Sequence, residues 1–211
     1  MADRSRQIRK RQATTTAIQE AALDLFAEKG YEKTTLKEIA DRADIAPRTL
    51  THHFPAKHDL LFAMDPWTLD SLEAKLAIRD ELKSVFDVVR SWYLENMLLA
   101  TGREGEETFW RRRCLRAHII RNSHYLQGFA TASFSEFEEL IASSLALSYS
   151  MKKDALPSRL AAVAIMGGLR EIHYYSAEAI SLGTPIEPMI NEVFDFAKAG
   201  LESLRSPGIG G

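Results

Sequence analysis

Apolar residues recur along most of this chain at the three- and four-residue spacing of amphipathic helices. The first such pattern begins at Ile18 and ends at Gly30, where the glycine supplies a helix C-terminus. Beyond residue 60 the same spacing predicts six longer helices, at 66–78, 80–100, 105–122, 127–150, 158–182 and 185–204. No strand-like alternation persists in the sequence, so the predicted fold class is all-α.

Two short helices joined by a tight turn are predicted between the first helix and the longer ones. Thr35 and Glu38 have the spacing of a capping box, in which each residue satisfies a backbone amide at the helix N-terminus. Asp44-Ile45-Ala46 forms the turn, and Leu50 with Phe54 gives the second helix a buried face. This arrangement is typical of a helix-turn-helix, which places its second helix in the major groove of DNA.

The polar face of the second short helix supplies the first candidate DNA contacts. Pro47, Arg48, Thr51 and His52 are predicted to face outward. Arg48 is the best candidate for reading a base, because its guanidinium fits O6 and N7 of guanine. Thr51 can pack its methyl group on thymine or donate a hydrogen bond. The alternative is an ordinary solvated helix face.

Charge is distributed unevenly along the chain. Residues 1–60 contain 11 Lys and Arg against 9 Asp and Glu, whereas the remainder contains 16 against 20. A basic arm precedes the first predicted helix and contains Arg4, Arg6, Arg9, Lys10 and Arg11. Two interpretations stay open for this arm: it contacts the DNA backbone or a minor groove, or it is a disordered tail that adds positive potential.

Several classes of protein are disfavoured by the sequence. The single cysteine excludes an internal disulfide, and no apolar run reaches the roughly 18 residues of a membrane span, so a cytoplasmic protein is expected. No catalytic motif is present, so neither an enzyme nor a cofactor is predicted. His52, His53 and His58 cannot share one helix face, so no metal site is predicted either.

Four segments follow one another in a distinctive order: Ala22–Tyr31, Thr34–Ala40, Thr49–Phe54, and Lys57 with Leu60 and Leu61. In this order they resemble the TetR family of bacterial transcriptional regulators. The resemblance implies a three-helix DNA-binding domain with its basic arm at residues 1–57. A helical effector-binding and dimerisation domain would follow at 58–205, and a disordered tail is expected at 206–211.

The resemblance also implies phosphate contacts. Thr49, His53 and Lys57 would contact the DNA backbone, and Thr35 would add a contact at the N-terminus of its helix. Helix N-termini suit phosphate in any case, because their amides and dipole attract anions.

Five positions depart from the usual family pattern. An aromatic residue is common where Thr51 stands, and a small residue is frequent where Asp44 and Arg48 stand. The differences at Arg48 and Thr51 bear on the operator sequence rather than on DNA binding. Ala46 and Ala56 occupy positions that are often Ser, and each forgoes a helix cap worth about 1 kcal/mol.

An effector site is expected inside the helical body, because family members usually bind a small, largely apolar molecule between these helices. Bundle interiors commonly contain such pockets. The candidate lining residues are Val89, Trp92, Tyr93, Phe109, Cys114, Phe134 and His173. The alternative is that these side chains are plain core.

The densest positive charge of the body is Arg111–Arg113 with Arg116 and Arg121. Three interpretations are open: a second nucleic-acid surface, a pocket for an anionic ligand, or a solvated face paired with Glu104, Glu106 and Glu107.

The last two predicted helices carry the expected dimer interface, since the family dimerises through a four-helix bundle of its last two long helices. The candidate residues are Leu160, Val163, Ala164, Gly167, Ile172, Ile190, Val193, Phe194, Ala197 and Leu201. Gly167 and Gly168 each cost about 1 kcal/mol relative to Ala within a helix, which close helix approach across an interface would justify. The alternative is packing within one chain.

Taken together, these features predict a homodimeric repressor that binds a pseudo-palindromic DNA operator and is released by a small effector. A constitutive DNA-binding regulator without an effector is the nearer alternative, and an all-α enzyme is the more distant one.

Overall fold

The computed structural model describes residues 2–63, 66–80, 82–181 and 183–205. Within these residues the chain forms helices and no β-strand, which confirms the predicted all-α class. The helices are α1 (Ala2–Lys29), α2 (Leu36–Arg42), α3 (Pro47–His53), α4 (Asp59–Phe62), α5 (Leu69–Ala77), α6 (Val85–Glu104), α7 (Glu106–Arg121), α8 (His124–Ser148), α9 (Leu156–Ser181) and α10 (Ile186–Arg205). None of them, over the described ranges, is long and apolar enough to cross a lipid bilayer.

The chain separates into two compact units. The first comprises Met1–Asp65 together with His118–Gln127, and the second comprises Pro66–Ala117 and Gly128–Gly211. The sequence places the domain boundary between residues 57 and 58, whereas in the structure α4 and the distant segment 118–127 join the first unit. The tail predicted at 206–211 lies outside the described residues.

The first unit is built around the apolar stripe of α1. Ile18, Ala22 and Phe26 are buried on that helix, and Ile39 and Leu50 pack into the same unit from α2 and α3. Because these residues recur at helical spacing, one face of each short helix is apolar and the opposite face remains in solvent.

The basic arm is part of α1, which begins at Ala2 rather than near Ile18. The interpretation as a disordered tail is therefore wrong for residues 2–17, whereas contact of these basic residues with DNA stays a prediction. Arg, Lys, Gln and Ala are strong helix formers, so these residues can extend a helix that packing has already started. Apolar periodicity indicates only the buried part of such a helix.

The second unit contains α5, α6, α9 and α10, together with α7 up to Ala117 and α8 from Gly128. Helices α5–α10 correspond to the six predicted body helices. Helix α6 is shifted most, since it runs from Val85 to Glu104 instead of 80–100, and α5 begins at Leu69 instead of 66. Both starts are set by hydroxyl caps: the Thr68 side chain accepts a hydrogen bond from the Ser71 amide, and the Ser84 side chain accepts one from the Asp87 amide.

The helices α9 and α10 pair closely within this unit. A Cβ atom added to Gly168 on α9 would lie 2.6 Å from Cγ1 of Val193 on α10. The glycine at position 168 is thus explained by close packing inside one chain, whereas Gly167 has no such contact.

Candidate functional site

The capping box of α2 is present as predicted. The Glu38 amide donates to Thr35 Oγ1 at 3.2 Å, and the Thr35 amide donates to Glu38 Oε2 at 2.8 Å. Lys29 also forms a hydrogen-bonded ion pair with Glu38. The hydrogen bond from Lys29, followed by those from Thr35, lowers the pKa of Glu38 to about 2. Helix α2 therefore starts at a fixed position, with the exposed Thr35 at its N-terminus.

The turn between α2 and α3 is tight. Ala43 ends α2, and Asp44 follows with a φ of 52°. Asp is among the few non-glycine residues that enter this left-handed region, because its short polar side chain tolerates it. The Ile45 amide then donates to the Ala40 carbonyl at 3.0 Å, which closes the turn.

Helix α3 is anchored on one side and exposed on the other. Leu50 and the C-cap residue Phe54 are almost fully buried, as their spacing predicts. The four outward-facing candidates, Pro47, Arg48, Thr51 and His52, are all exposed. The N-cap residue Ala46 makes no side-chain cap, so the start of α3 depends on Pro47 and on packing. The polar face thus has the orientation that a DNA-reading helix requires.

The residues predicted to contact phosphate are more enclosed. Thr49, His53 and Lys57 are only partly exposed. His53 Nδ1 lies 3.0 Å from Thr15 Oγ1, which ties α3 to α1. Burial, with smaller effects of Arg11 and His52, lowers the pKa of His53, so the imidazole is biased toward its neutral form. A phosphate contact by neutral His53 would require the tautomer with the proton on Nε2, in which Nδ1 accepts from the Thr15 hydroxyl.

Lys57 lies against aromatic rings. Its Nζ is 4.2 Å from the centroid of the Tyr31 ring and 6.0 Å from that of Phe26, and it donates to the Glu32 carbonyl at 3.5 Å. Desolvation lowers the pKa of Lys57, an effect opposed by Glu32 and Glu38. These contacts restrict the position of the Lys57 ammonium.

The arginine cluster of the body is mostly internal. Arg111 is exposed, but Arg113 and Arg116 are only 9% and 8% exposed. Arg112 forms an ion pair with Glu104 at 2.7 Å. The interpretation as a solvated face is therefore right for Arg111 and for the pairing with Glu104, and wrong for the two buried arginines. Helix periodicity missed this because it treats every arginine as a surface residue.

Three of the predicted pocket residues lie together. Tyr93 Oη is 3.0 Å from His173 Nε2. Both contact Trp67, whose indole stacks on Tyr93 with centroids 4.5 Å apart and lies 6.1 Å from the His173 ring. Phe109 completes this aromatic cluster, 6.0 Å from Trp67, and the Arg113 guanidinium is 4.6 Å from the same indole. Sequence reasoning missed Trp67, which has no periodic partner because it lies before α5.

The other predicted pocket residues are placed elsewhere in the second unit. Trp92 donates from Nε1 to Ser71 Oγ at 2.9 Å, and Cys114 Sγ is 3.7 Å from the Tyr174 carbonyl. Val89 is fully buried in the core, and Phe134 is partly buried against it. The predicted set therefore includes one aromatic cluster and several ordinary core contacts.

The predicted dimer residues divide into two groups. Five of them are buried in the core of their own unit, so their assignment to an intermolecular surface is wrong: Ile172, Ile190, Phe194, Ala197 and Leu201. Leu160 and Val163 are about half exposed, and Ala164, Gly167 and Val193 are intermediate. Helix α10 is strongly amphipathic, and periodicity identifies its apolar stripe without saying whether that stripe packs against its own chain or against a second copy.

An exposed apolar surface remains on α9 and α10. Phe196 is 74% exposed, and Tyr175 is also exposed. Together with Ala164, Met189 and Val193 they line a groove of about 440 Å³. Neither Tyr175 nor Phe196 was among the predicted dimer residues. Phe196 lies on the face of α10 opposite the buried stripe that contains Phe194.

Two short helices joined by a tight turn, with a polar face exposed on the second, are the arrangement of a DNA-binding helix-turn-helix. An all-helical body follows them in the chain. The sequence model described as bacterial regulatory proteins, tetR family, matches residues 18–64. The chain is a TetR-family transcriptional regulator.

Full-length relatives agree with this assignment. MftR of Mycobacterium tuberculosis, a transcriptional regulator assigned to mycofactocin biosynthesis, is 25% identical over 97% of this chain and 100% of its own length. A TetR-like regulator from Rhodococcus sp. RHA1 is 22% identical, with a TM-score of 0.56 over 90% of this chain and 96% of its own. FadR of Bacillus subtilis, solved in complex with stearoyl-CoA, is 18% identical, with a TM-score of 0.59 over 88% and 98%. These structures share the fold.

Proposed function

We propose that this regulator is a homodimeric, cytoplasmic repressor that binds a pseudo-palindromic operator. The α3 helices of two copies would enter successive major grooves, about 34–36 Å apart. The observation that carries this proposal is the orientation of α3, which buries Leu50 and Phe54 and exposes Arg48, Thr51 and His52.

Two kinds of DNA contact are expected from α3 and the residues around it, to bases and to phosphates. Arg48 would read a guanine through its two-pronged guanidinium, and Thr51 would meet a neighbouring base. Thr49, His53, Lys57 and Thr35 would contact phosphates, which position the protein and supply most of the affinity. Binding should therefore weaken steeply as salt concentration rises.

Dimerisation is supported by the exposed apolar surface of α9 and α10. Phe196, Leu160 and Val163 leave large apolar side chains in water, where a second copy could cover them. A symmetric pairing would use the same surface on both copies. The two α3 helices would then be presented together to the two half-sites.

The effector is proposed to bind within the second unit, near the Trp67 cluster. That cluster offers aromatic surface, the Tyr93–His173 pair and the buried Arg113. The Bacillus subtilis FadR structure contains stearoyl-CoA, which combines an apolar chain with anionic phosphates. Acyl-CoA thioesters are accordingly the first compounds to screen.

Release would follow from a difference in effector affinity between the DNA-bound and DNA-free forms. The effector and the operator must then weaken each other's binding by the same factor. A compound that stabilises the protein without changing its affinity for DNA would favour the constitutive alternative.

Selection of bound fragments from a random DNA pool tests the main proposal, because it reports the half-site, its symmetry and its spacing together. We expect two inverted half-sites with centres one helical turn apart, bound by a species that sizes as a dimer. Arg48→Ala should change the selected sequence, whereas Arg111→Ala, an exposed arginine of α7, should not. A single unsymmetrical site bound by one copy would overturn the proposal.

A further inference from the structure

The segment His118–Gln127 belongs to the first unit although it comes from the end of α7 and the start of α8. Ser123 and Leu126 are almost fully buried there. Ser123 Oγ donates a hydrogen bond to the Glu32 carboxylate, which lowers the pKa of Glu32. The segment is therefore bound to the loop that joins α1 to α2.

Tyr125 lies in the same segment and contacts the same loop. Its ring is nearly parallel to that of Tyr31, at 14°, with centroids 6.2 Å apart. Its hydroxyl is 3.1 Å from Nδ1 of His58. Tyr125 thus contacts the residue that supports Lys57 and also the residue that follows Lys57.

Lys57 contacts Tyr31 and Glu32, the two loop residues that the segment 118–127 also contacts. Its ammonium lies 4.2 Å from the Tyr31 ring, and it donates to the carbonyl of Glu32, whose carboxylate accepts from Ser123. A lysine side chain ordinarily samples many rotamers and loses that freedom when it binds. A support that holds the ammonium before binding reduces this loss.

We propose that Tyr125 is a positioning residue for Lys57, which it acts on through Tyr31 and His58. The inference rests on the proposed function, because it takes Lys57 to contact a DNA phosphate. Tyr125 itself is not required to touch DNA. It fixes the Tyr31 ring and the backbone after Lys57, so that the ammonium stays where a phosphate can meet it.

A double-mutant cycle tests the proposal: Tyr125→Ala, Lys57→Ala and the combined variant are titrated with mixed-sequence duplex DNA, which reports phosphate contacts without an operator. We expect Tyr125→Ala to weaken binding about 3- to 10-fold, the effect of ordering one long side chain. In the Lys57→Ala background the same change should have almost no effect. Tyr125→Phe keeps the ring and loses the hydroxyl, so it separates stacking from the bond to His58.

The control is Phe129→Ala, which removes another exposed aromatic residue of α8. It should leave DNA affinity unchanged. If Lys57→Ala leaves both affinity and salt dependence unchanged, the phosphate role in the proposed function fails. If Lys57→Ala weakens binding but Tyr125→Ala adds its full effect on top, Tyr125 acts independently of Lys57 and this inference is overturned, while the proposed function stands.

Discussion

Gly167 and Gly168 are neighbours on α9, yet only one of them has room for a methyl group. A Cβ atom at Gly168 would lie 2.6 Å and 2.7 Å from the two γ-carbons of Val193 and 3.2 Å from its Cβ. At Gly167 it would meet only Nη2 of Arg170, at 3.9 Å. Substitution to alanine should therefore stabilise the protein at position 167 and fail to stabilise it at position 168.

The magnitudes follow from two opposing terms. Replacing glycine by alanine inside a helix stabilises it by about 1 kcal/mol. Overpacking a close contact costs about 1–3 kcal/mol, and Val193 cannot relieve it by rotation, because both of its methyl groups lie in the way and its χ1 is stiff in a helix. Gly167→Ala should thus gain about 1 kcal/mol. Gly168→Ala should range from neutral to about 2 kcal/mol less stable.

Urea unfolding followed by circular dichroism measures both variants, at several protein concentrations so that any dimer contribution is recognised. The Gly168→Ala substitution should be better tolerated in a Val193→Ala background, since the clashing methyl groups are then absent. Equal stabilisation by both alanines, or strict additivity with Val193→Ala, would refute the close approach of α9 and α10.

Three further changes test the DNA-binding unit. Arg48→Ala should relax the preference at one base pair per half-site by about 1–3 kcal/mol if the contact is bidentate; equal losses on selected and random DNA would rule out base reading. Ala46→Ser should add the missing cap of α3 and raise the free energy of unfolding by about 1 kcal/mol in urea titrations; no gain would mean that the hydroxyl does not reach the first-turn amides. Because the folded-state pKa of Glu38 is about 2 against a reference of 4.5, its carboxylate stabilises the fold above pH 4.5 and loses this effect as pH falls toward 2. Urea midpoints of the wild type and Glu38→Gln should therefore converge over that interval, and a constant difference would contradict the assignment.

Local features of the helix-turn-helix could be predicted because each depends on neighbours in sequence. The capping box links Thr35 and Glu38, three residues apart, and the buried face of α3 links Leu50 and Phe54, four apart. Such pairs are set by helix geometry alone. The functional assignment followed from this region for the same reason.

Features that depend on distant parts of the chain could not be predicted in this way. Arg113 is buried with its guanidinium 4.6 Å from the Trp67 indole, and Trp67 joins Tyr93 and His173 from a stretch before α5. On α10, helical spacing already separates Phe194, on the apolar stripe, from Phe196 on another face. It does not say whether the stripe meets its own chain or a second copy, and only tertiary packing places it in the core of the chain.

The discontinuity of the first unit has a practical consequence for engineering. Cutting the polypeptide after residue 65 would remove Leu126, which is fully buried, and would uncover the Tyr31 ring. An excised N-terminal fragment would then expose apolar surface that the intact regulator hides. A chimera that takes its DNA-binding unit from this protein should therefore include residues 118–127 together with residues 1–65. Otherwise the recipient protein must be redesigned so that its own helices contact Tyr31 and Glu32.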